Sequence, residues 1–204
     1  MKFIKWKSLI ITSLVCLLPV LLGVVLWDKL PESIAIHFNI NNEPDNFSSK
    51  GFAVFGLPLL MAGLQIICCL INDFNAKMHG NREKFERATK WILPIMSILL
   101  QAVTLGYALG WNIDIRKTVA VIVGIIFLVI GNYLPKFDNI KNYNVDAEKA
   151  RKINRFIGFE TVIMGVLSII SVFLPPVTTL VWLFLLIPYA IISVIYGVIV
   201  GKSK

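Results

Sequence analysis

The fold class this sequence predicts is all-α integral membrane: a six-helix transmembrane bundle with a short extracytoplasmic strand-like loop, forming a single membrane domain over residues 1–204. Three observations predict it. The 204 residues are 57% hydrophobic and only 16% charged, with a mean hydropathy of +0.77, and a water-soluble domain of this length needs far more polar surface. Apolar runs of about 17 residues or more recur, each able to cross a ~30 Å hydrocarbon core at ~1.5 Å per residue. The basic residues gather at the ends of those runs, so the net charge of +8 reads as membrane topology and not as direct nucleic-acid binding.

Span one runs from about Ser8 to Trp27, behind Lys2, Lys5 and Lys7. A cleaved signal has the same layout, but this run is long for one and lacks a small-residue cleavage site before Trp27-Asp28, so a retained anchor is expected. The other spans are 52–71, 91–110, 118–134, 156–174 and 177–200, and residues 28–51 form the longest polar interval between the first two. With a cytoplasmic amino terminus, Lys29, Lys50, Arg116 and Lys117 fall outside and the remaining sixteen basic residues inside. That asymmetry places both termini in the cytoplasm of a multi-pass protein.

Pro19, Pro58, Pro94 and Pro188 lie inside spans. Each removes a backbone donor in a setting without water, so a neighbouring helix must satisfy the freed carbonyl. Gly106 with Gly110, and Ser193 with Gly197 and Gly201, stand at four-residue spacing and offer close helix–helix faces. They serve packing within the bundle or, alternatively, a homodimer seam. Gln65 and Gln101 can bridge helices. The three cysteines, Cys16, Cys68 and Cys69, lie in apolar segments without a C-x-x-C and read as small buried hydrophobes.

The outward interval carries the only strand-like pattern. Ile34, Ile36, Phe38 and Ile40 share one face, while Ala35, His37 and Asn39 share the other. Asn41-Asn42 and Glu43-Pro44-Asp45 supply turn chemistry. So short a strand needs a partner, which predicts that Asn46 to Phe52 returns against it or against the outer helix ends. His37 is either a structural histidine held in the loop or a contact or proton-sensitive residue for a partner. It is no metal ligand, because the other histidine, His79, falls on the opposite side.

Leu30-Pro31, Ile36-His37-Phe38-Asn39, Glu43-Pro44-Asp45 and Ser49-Lys50 together resemble the extracytoplasmic segment of the SdpI family, bacterial membrane proteins named for immunity to a sporulation-delaying toxin. Asn42 stands where that family usually has glycine, and Asn also tolerates a left-handed backbone. Two further stretches match: Gly131-Asn132-Tyr133-Leu134-Pro135-Lys136 at the inner end of span four, and Asn154-Arg155-Phe156-Ile157-Gly158 at the start of span five. The resemblance implies residence in a bacterial cell membrane and a peptide or protein toxin as outer partner, met by Pro31, His37, Asn39, Pro44 and Asp45. It also implies an inner-face motif of Gly131, Asn132, Pro135, Lys136, Asn154, Arg155 and Gly158, and signal transduction to a cytoplasmic transcriptional repressor. A Gly-Ile-Arg-Thr-Pro-Trp-like stretch of the family's inner loop is missing here.

Of the inner segments, 72–90 predicts a Gly80-Asn81 turn with Asn81 as helix cap and a Glu83–Arg87 pair. Segment 138–155 predicts a cap at Asp146 and a Glu148–Lys152 pair. Its basic residues suit anionic lipid headgroups, or a docked regulator. Glu160 is the ionisable residue set within a span, near its inner end, where it reaches the interface or meets Lys136. Asn132 is the polar residue of span four.

No H-E-x-x-H, G-x-S-x-G or paired intramembrane carboxylates occur, and no cofactor or metal motif is present. Gly197 to Ser203 imitates a phosphate loop with the wrong glycine spacing. An enzyme is not expected. The expected function is membrane immunity; the alternatives are a small transporter or lipid-handling protein, or an accessory subunit of a membrane complex.

Overall fold

The computed structural model describes residues 4–79, 83–136 and 147–202. Among the described residues it is 82% helical, with six helices long and apolar enough to cross a membrane and one two-stranded antiparallel sheet. In chain order these are α1 (Trp6–Val25), β1 (Ser33–Phe38), β2 (Pro44–Ser49), α2 (Leu57–His79), α3 (Glu83–Ala108), α4 (Ile115–Tyr133), α5 (Ala147–Ile170) and α6 (Val177–Lys202). Every expected span is a helix. The main difference is length, because α2 runs well past the end of its apolar stretch, and α3 and α5 begin well before theirs. The Gly80-Asn81 turn, the caps at Asn81 and Asp146, and the side chain of Glu83 lie outside the described residues. The Glu148–Lys152 pair forms at 2.8 Å.

The chain divides into two compact units, Met1–Lys77 with Glu86–Ile115, and Met78–Phe85 with Arg116–Lys204. The first contains α1, the hairpin, α2 and α3. Leu30, Ile34, Ala53, Val54 and Leu105 form its buried apolar cluster, with Leu26, Trp27, Ile36, Ala108 and Leu109 packed around them. An isolated two-stranded hairpin is marginal in water. Here β1 is held because its apolar face closes over the adjoining ends of α1, α2 and α3. Phe38 adds an edge-to-face contact with Tyr107 of α3, with ring centroids 4.7 Å apart.

α2 is entered through a widened π-helical turn, Phe52–Gly56, in which the Leu57 N–H reaches back five residues to the Phe52 carbonyl. The carbonyl of Ala53 would take the next such bond from residue 58, but Pro58 has no N–H. Gln101 of α3 supplies the donor instead, its Nε2 lying 2.9 Å from the Ala53 oxygen. Pro94 frees the Lys90 carbonyl in the same way, and Gln65 Nε2 donates to it at 2.8 Å. The two expected bridging glutamines are thus the donors for the carbonyls freed by Pro58 and Pro94, two of the four in-span prolines.

The expectation for Gly106 and Gly110 is corrected. They end α3 and do not form a helix–helix face. Gly110 has φ +85, its N–H meets the Tyr107 carbonyl at 2.9 Å, and the Trp111 N–H meets the Gly106 carbonyl at 3.0 Å. That pair of bonds around a left-handed glycine is a Schellman stop.

In the second unit α4 and α5 pack through glycines. A Cβ on Gly131 would lie 2.7 Å from the Gly158 carbonyl oxygen, and one on Gly165 2.8 Å from that of Gly124. Each pair is spaced seven residues along its helix, so two antiparallel backbones touch at two levels, two turns apart. Ser168 Oγ adds a bond to the Ala120 carbonyl at 2.8 Å. α6 joins α5 through Trp182 Nε1 to the Met164 carbonyl at 2.9 Å and the stacked rings of Phe156 and Tyr196. Of the α6 small residues, Ser193 bonds Glu160, and a Cβ on Gly197 would lie 3.9 Å from Ile153, both partners being on α5.

Candidate functional site

The hairpin is built from its turn outward. Asn39 Oδ1 accepts the N–H groups of Asn41 and Glu43 at 2.9 and 3.0 Å, and its Nδ2 donates to Glu43 Oε2 at 2.9 Å. Asn42 takes φ +65, the left-handed conformation expected of a residue standing in for glycine. Its amide does what a glycine could not. Nδ2 donates to the Ile113 carbonyl at 3.2 Å, and Oδ1 accepts the Ile115 N–H at 2.7 Å. The hairpin tip is thereby tied to the segment leaving α3.

Replacing Asn42 with glycine should keep the turn and cut the tie, at about 1–2 kcal/mol for two lost bonds. Replacement with alanine should lose both the tie and the backbone tolerance. Hydrogen exchange across residues 39–43 and 111–115 measures the difference, with faster exchange in both variants and the larger rise in alanine.

Two expectations for the strand change. Pro44 and Asp45 belong to β2 and not to the turn, which is confined to residues 39–43; a proline is tolerated as the first residue of a strand. The strict alternation of β1 also breaks. The register pairs Ala35 with Phe47 and His37 with Asn46, with irregularities on both sides of His37. Such a bulge re-aims side chains. Ala35, expected on the open face, is buried opposite the Phe47 ring, while Ile36 and Phe38 are only half-buried.

His37 and Asp45 emerge together on the exposed face, His37 Nδ1 being 2.5 Å from Asp45 Oδ1, with side-chain exposures of 67% and 42%. A pair this wet adds little to stability. Pro31 is exposed at the entry to β1, just after the buried Leu30. Lys50 closes the base: its Nζ meets Glu32 at 2.7 Å and the carbonyls of Trp27 and Leu30 at 3.4 and 3.3 Å, above the Trp27 ring.

The residues expected at the inner face are not gathered into one site. Gly131 and Gly158 are spent on helix packing, and Pro135 lies against Gly158. Asn132, Lys136 and Arg155 are exposed and Asn154 is half-buried. Lys136 lies over its neighbour Tyr133 at 4.7 Å, and Glu160 accepts a bond from Ser193 Oγ at 2.9 Å instead of meeting Lys136.

The sequence reading missed a column of buried polar groups inside the first unit. Asp73 and Lys90, read as inner-loop residues, are the buried ion pair of α2 and α3, with Nζ to Oδ1 at 2.5 Å and side-chain exposures of 0% and 2%. Asp73 Oδ2 also accepts the backbone N–H of Lys5 at 2.9 Å, satisfying a donor where α1 begins. Lys5 Nζ in turn pairs with Glu86 at 2.5 Å. Next along the column, Gln65 Nε2 donates to Thr12 Oγ1 at 2.7 Å, while Gln65 Oε1 is buried without a donor among the described residues. Ser97 Oγ then bonds the Cys16 carbonyl at 2.8 Å, and Gln101 follows. From Glu86 to Gln101 the column rises about 22 Å along α3. The available signal was helical spacing: Gln65, Cys69 and Asp73 recur every four residues, as do Ser97 and Gln101.

Comparison with protein families gives one match, residues 14–62, to a family described as Domain of unknown function (DUF1648). The matched stretch covers most of α1, the whole hairpin and the start of α2. Comparisons with curated proteins and with solved structures give no match. The chain is thus a membrane-type helical protein carrying a DUF1648 region.

Proposed function

We propose that this chain is a non-enzymatic immunity protein of the bacterial cell membrane, with both termini cytoplasmic. It engages an antimicrobial peptide or protein toxin at the outer face through Pro31 to Asp45. Occupancy is signalled to a cytoplasmic transcriptional repressor at the inner ends of the helices, where Asn132, Lys136 and Arg155 are exposed. The observation that carries the reading is the hairpin itself. It is anchored at its base by Lys50, at its tip by Asn42 and beneath by Ile34, yet it shows the His37–Asp45 pair to the medium. A preorganised display of this kind binds without first being ordered. The resemblance of the same segment to the SdpI family supports it, and the hairpin lies inside the stretch matched to a family of unknown function, residues 14–62.

Deleting the gene should sensitise cells to the cognate toxin. His37→Ala and Asp45→Ala should each weaken toxin binding by roughly 5- to 30-fold, the effect of losing about 1–2 kcal/mol at an interface, with the protein still folded. Survival unchanged in the deletion strain across candidate toxins counts against the proposal. A transport reading draws on the buried polar column, and substrate flux in proteoliposomes without toxin protection would put it first.

A further inference from the structure

At the other end of the first unit, away from the hairpin, α1 and α3 flank a notch of about 620 Å³. Its lining includes Lys5, Trp6, Lys7, Thr12, Arg87 and Trp91. The volume is that of a small-molecule site, and its chemistry is divided. Trp6 and Trp91 are 50% and 38% exposed and supply apolar walls of the kind found at the level of lipid headgroups. Three cations converge there, and only Lys5 is matched, by Glu86. Lys7 and Arg87 are exposed and have no acidic partner among the described residues, so the notch carries surplus positive charge. Glu86 is buried and Asp73 is engaged by Lys90, so neither is free to neutralise it.

We propose that this notch binds the headgroup of an anionic glycerophospholipid from the surrounding leaflet. Arg87 and Lys7 hold the phosphodiester, the guanidinium in bidentate fashion, and the two tryptophans flank the glycerol and upper acyl chains. The proposal uses no residue of the basic 138–155 segment and does not depend on the immunity reading.

The test is native mass spectrometry of the purified full chain titrated with phosphatidylglycerol or phosphatidylcholine. The wild type should retain phosphatidylglycerol preferentially. The K7Q/R87Q variant should lose about 30-fold in affinity, each basic residue near an anionic lipid surface being worth about fivefold. The R151Q/K152Q variant, with two exposed charges removed from α5, should behave as wild type. No preference for phosphatidylglycerol overturns the proposal. So does an equal loss in the α5 variant, which would mean unspecific charge attraction, or displacement by millimolar inorganic phosphate, which would mean a free-anion site. A photoactivatable phosphatidylglycerol on the wild type keeps the test independent of variant folding. Its label should fall within residues 5–12 or 84–91, and labelling confined elsewhere overturns the proposal.

Discussion

Replacing Lys90 with methionine should cost about 3–5 kcal/mol of stability, the usual result of leaving one member of a buried ion pair uncompensated. Asp73 would keep only the Lys5 backbone N–H, and no water reaches a carboxylate with no exposed side-chain surface. Replacing Asp73 with asparagine should do comparable damage by stranding the ammonium. The D73N/K90M double variant should recover most of the loss. It buries no charge, keeps an acceptor for the Lys5 N–H and fills the same volume. Unfolding in mixed micelles, run as a double-mutant cycle, measures the coupling. Single-variant losses that simply add in the double, within about 0.5 kcal/mol, would show that the two charges do not act as a pair.

A side chain at Gly131 should be almost as harmful, for steric reasons. Its Cβ would stand 2.7 Å from the Gly158 oxygen and 2.8 Å from the Val162 nitrogen, both backbone atoms that cannot rotate away. Gly131→Val must therefore push α5 off α4. Overpacking of this kind costs about 1–3 kcal/mol, and more where neither wall can move. Gly197→Ala is the control, because its Cβ would find nothing closer than 3.9 Å. That variant should be neutral, or gain up to about 1 kcal/mol from helix propensity. Thermal melting of the two in one detergent separates them, and equal melting points would refute the backbone contact between α4 and α5.

The helices were legible because lipid imposes a crude rule, a sufficient length of apolar residues, and all six runs satisfy it. The strand pairing was legible from alternation and turn residues, and Asn42 from its place in the turn. The bulge at His37 was not, because alternation assumes a regular ladder and one displaced residue changes which face is covered. The Asp73–Lys90 pair escaped for a different reason. Hydropathy ends a span at the first charge, whereas a helix continues wherever a charge finds a partner on its neighbour. Asp73 and Lys90 lie on different helices, and nothing local in either segment names the other. Gly131 and Gly158 were noticed as a motif, but their chemistry is the absence of a side chain, and only the facing backbone shows what that absence is for.

The widened turn at 52–56 also fixes the angular phase of everything after it in α2. Successive residues of a helix are displaced by about 100°, so removing a single residue there would swing Gln65, Cys69 and Asp73 away from α1 and α3 toward the lipid tails. Lys90 would then be left in its buried place without Asp73. The chain length between Lys50 and Gln65 is therefore as constrained as any side chain in the column. Insertions and deletions should be excluded from that stretch even where its individual apolar residues interchange freely.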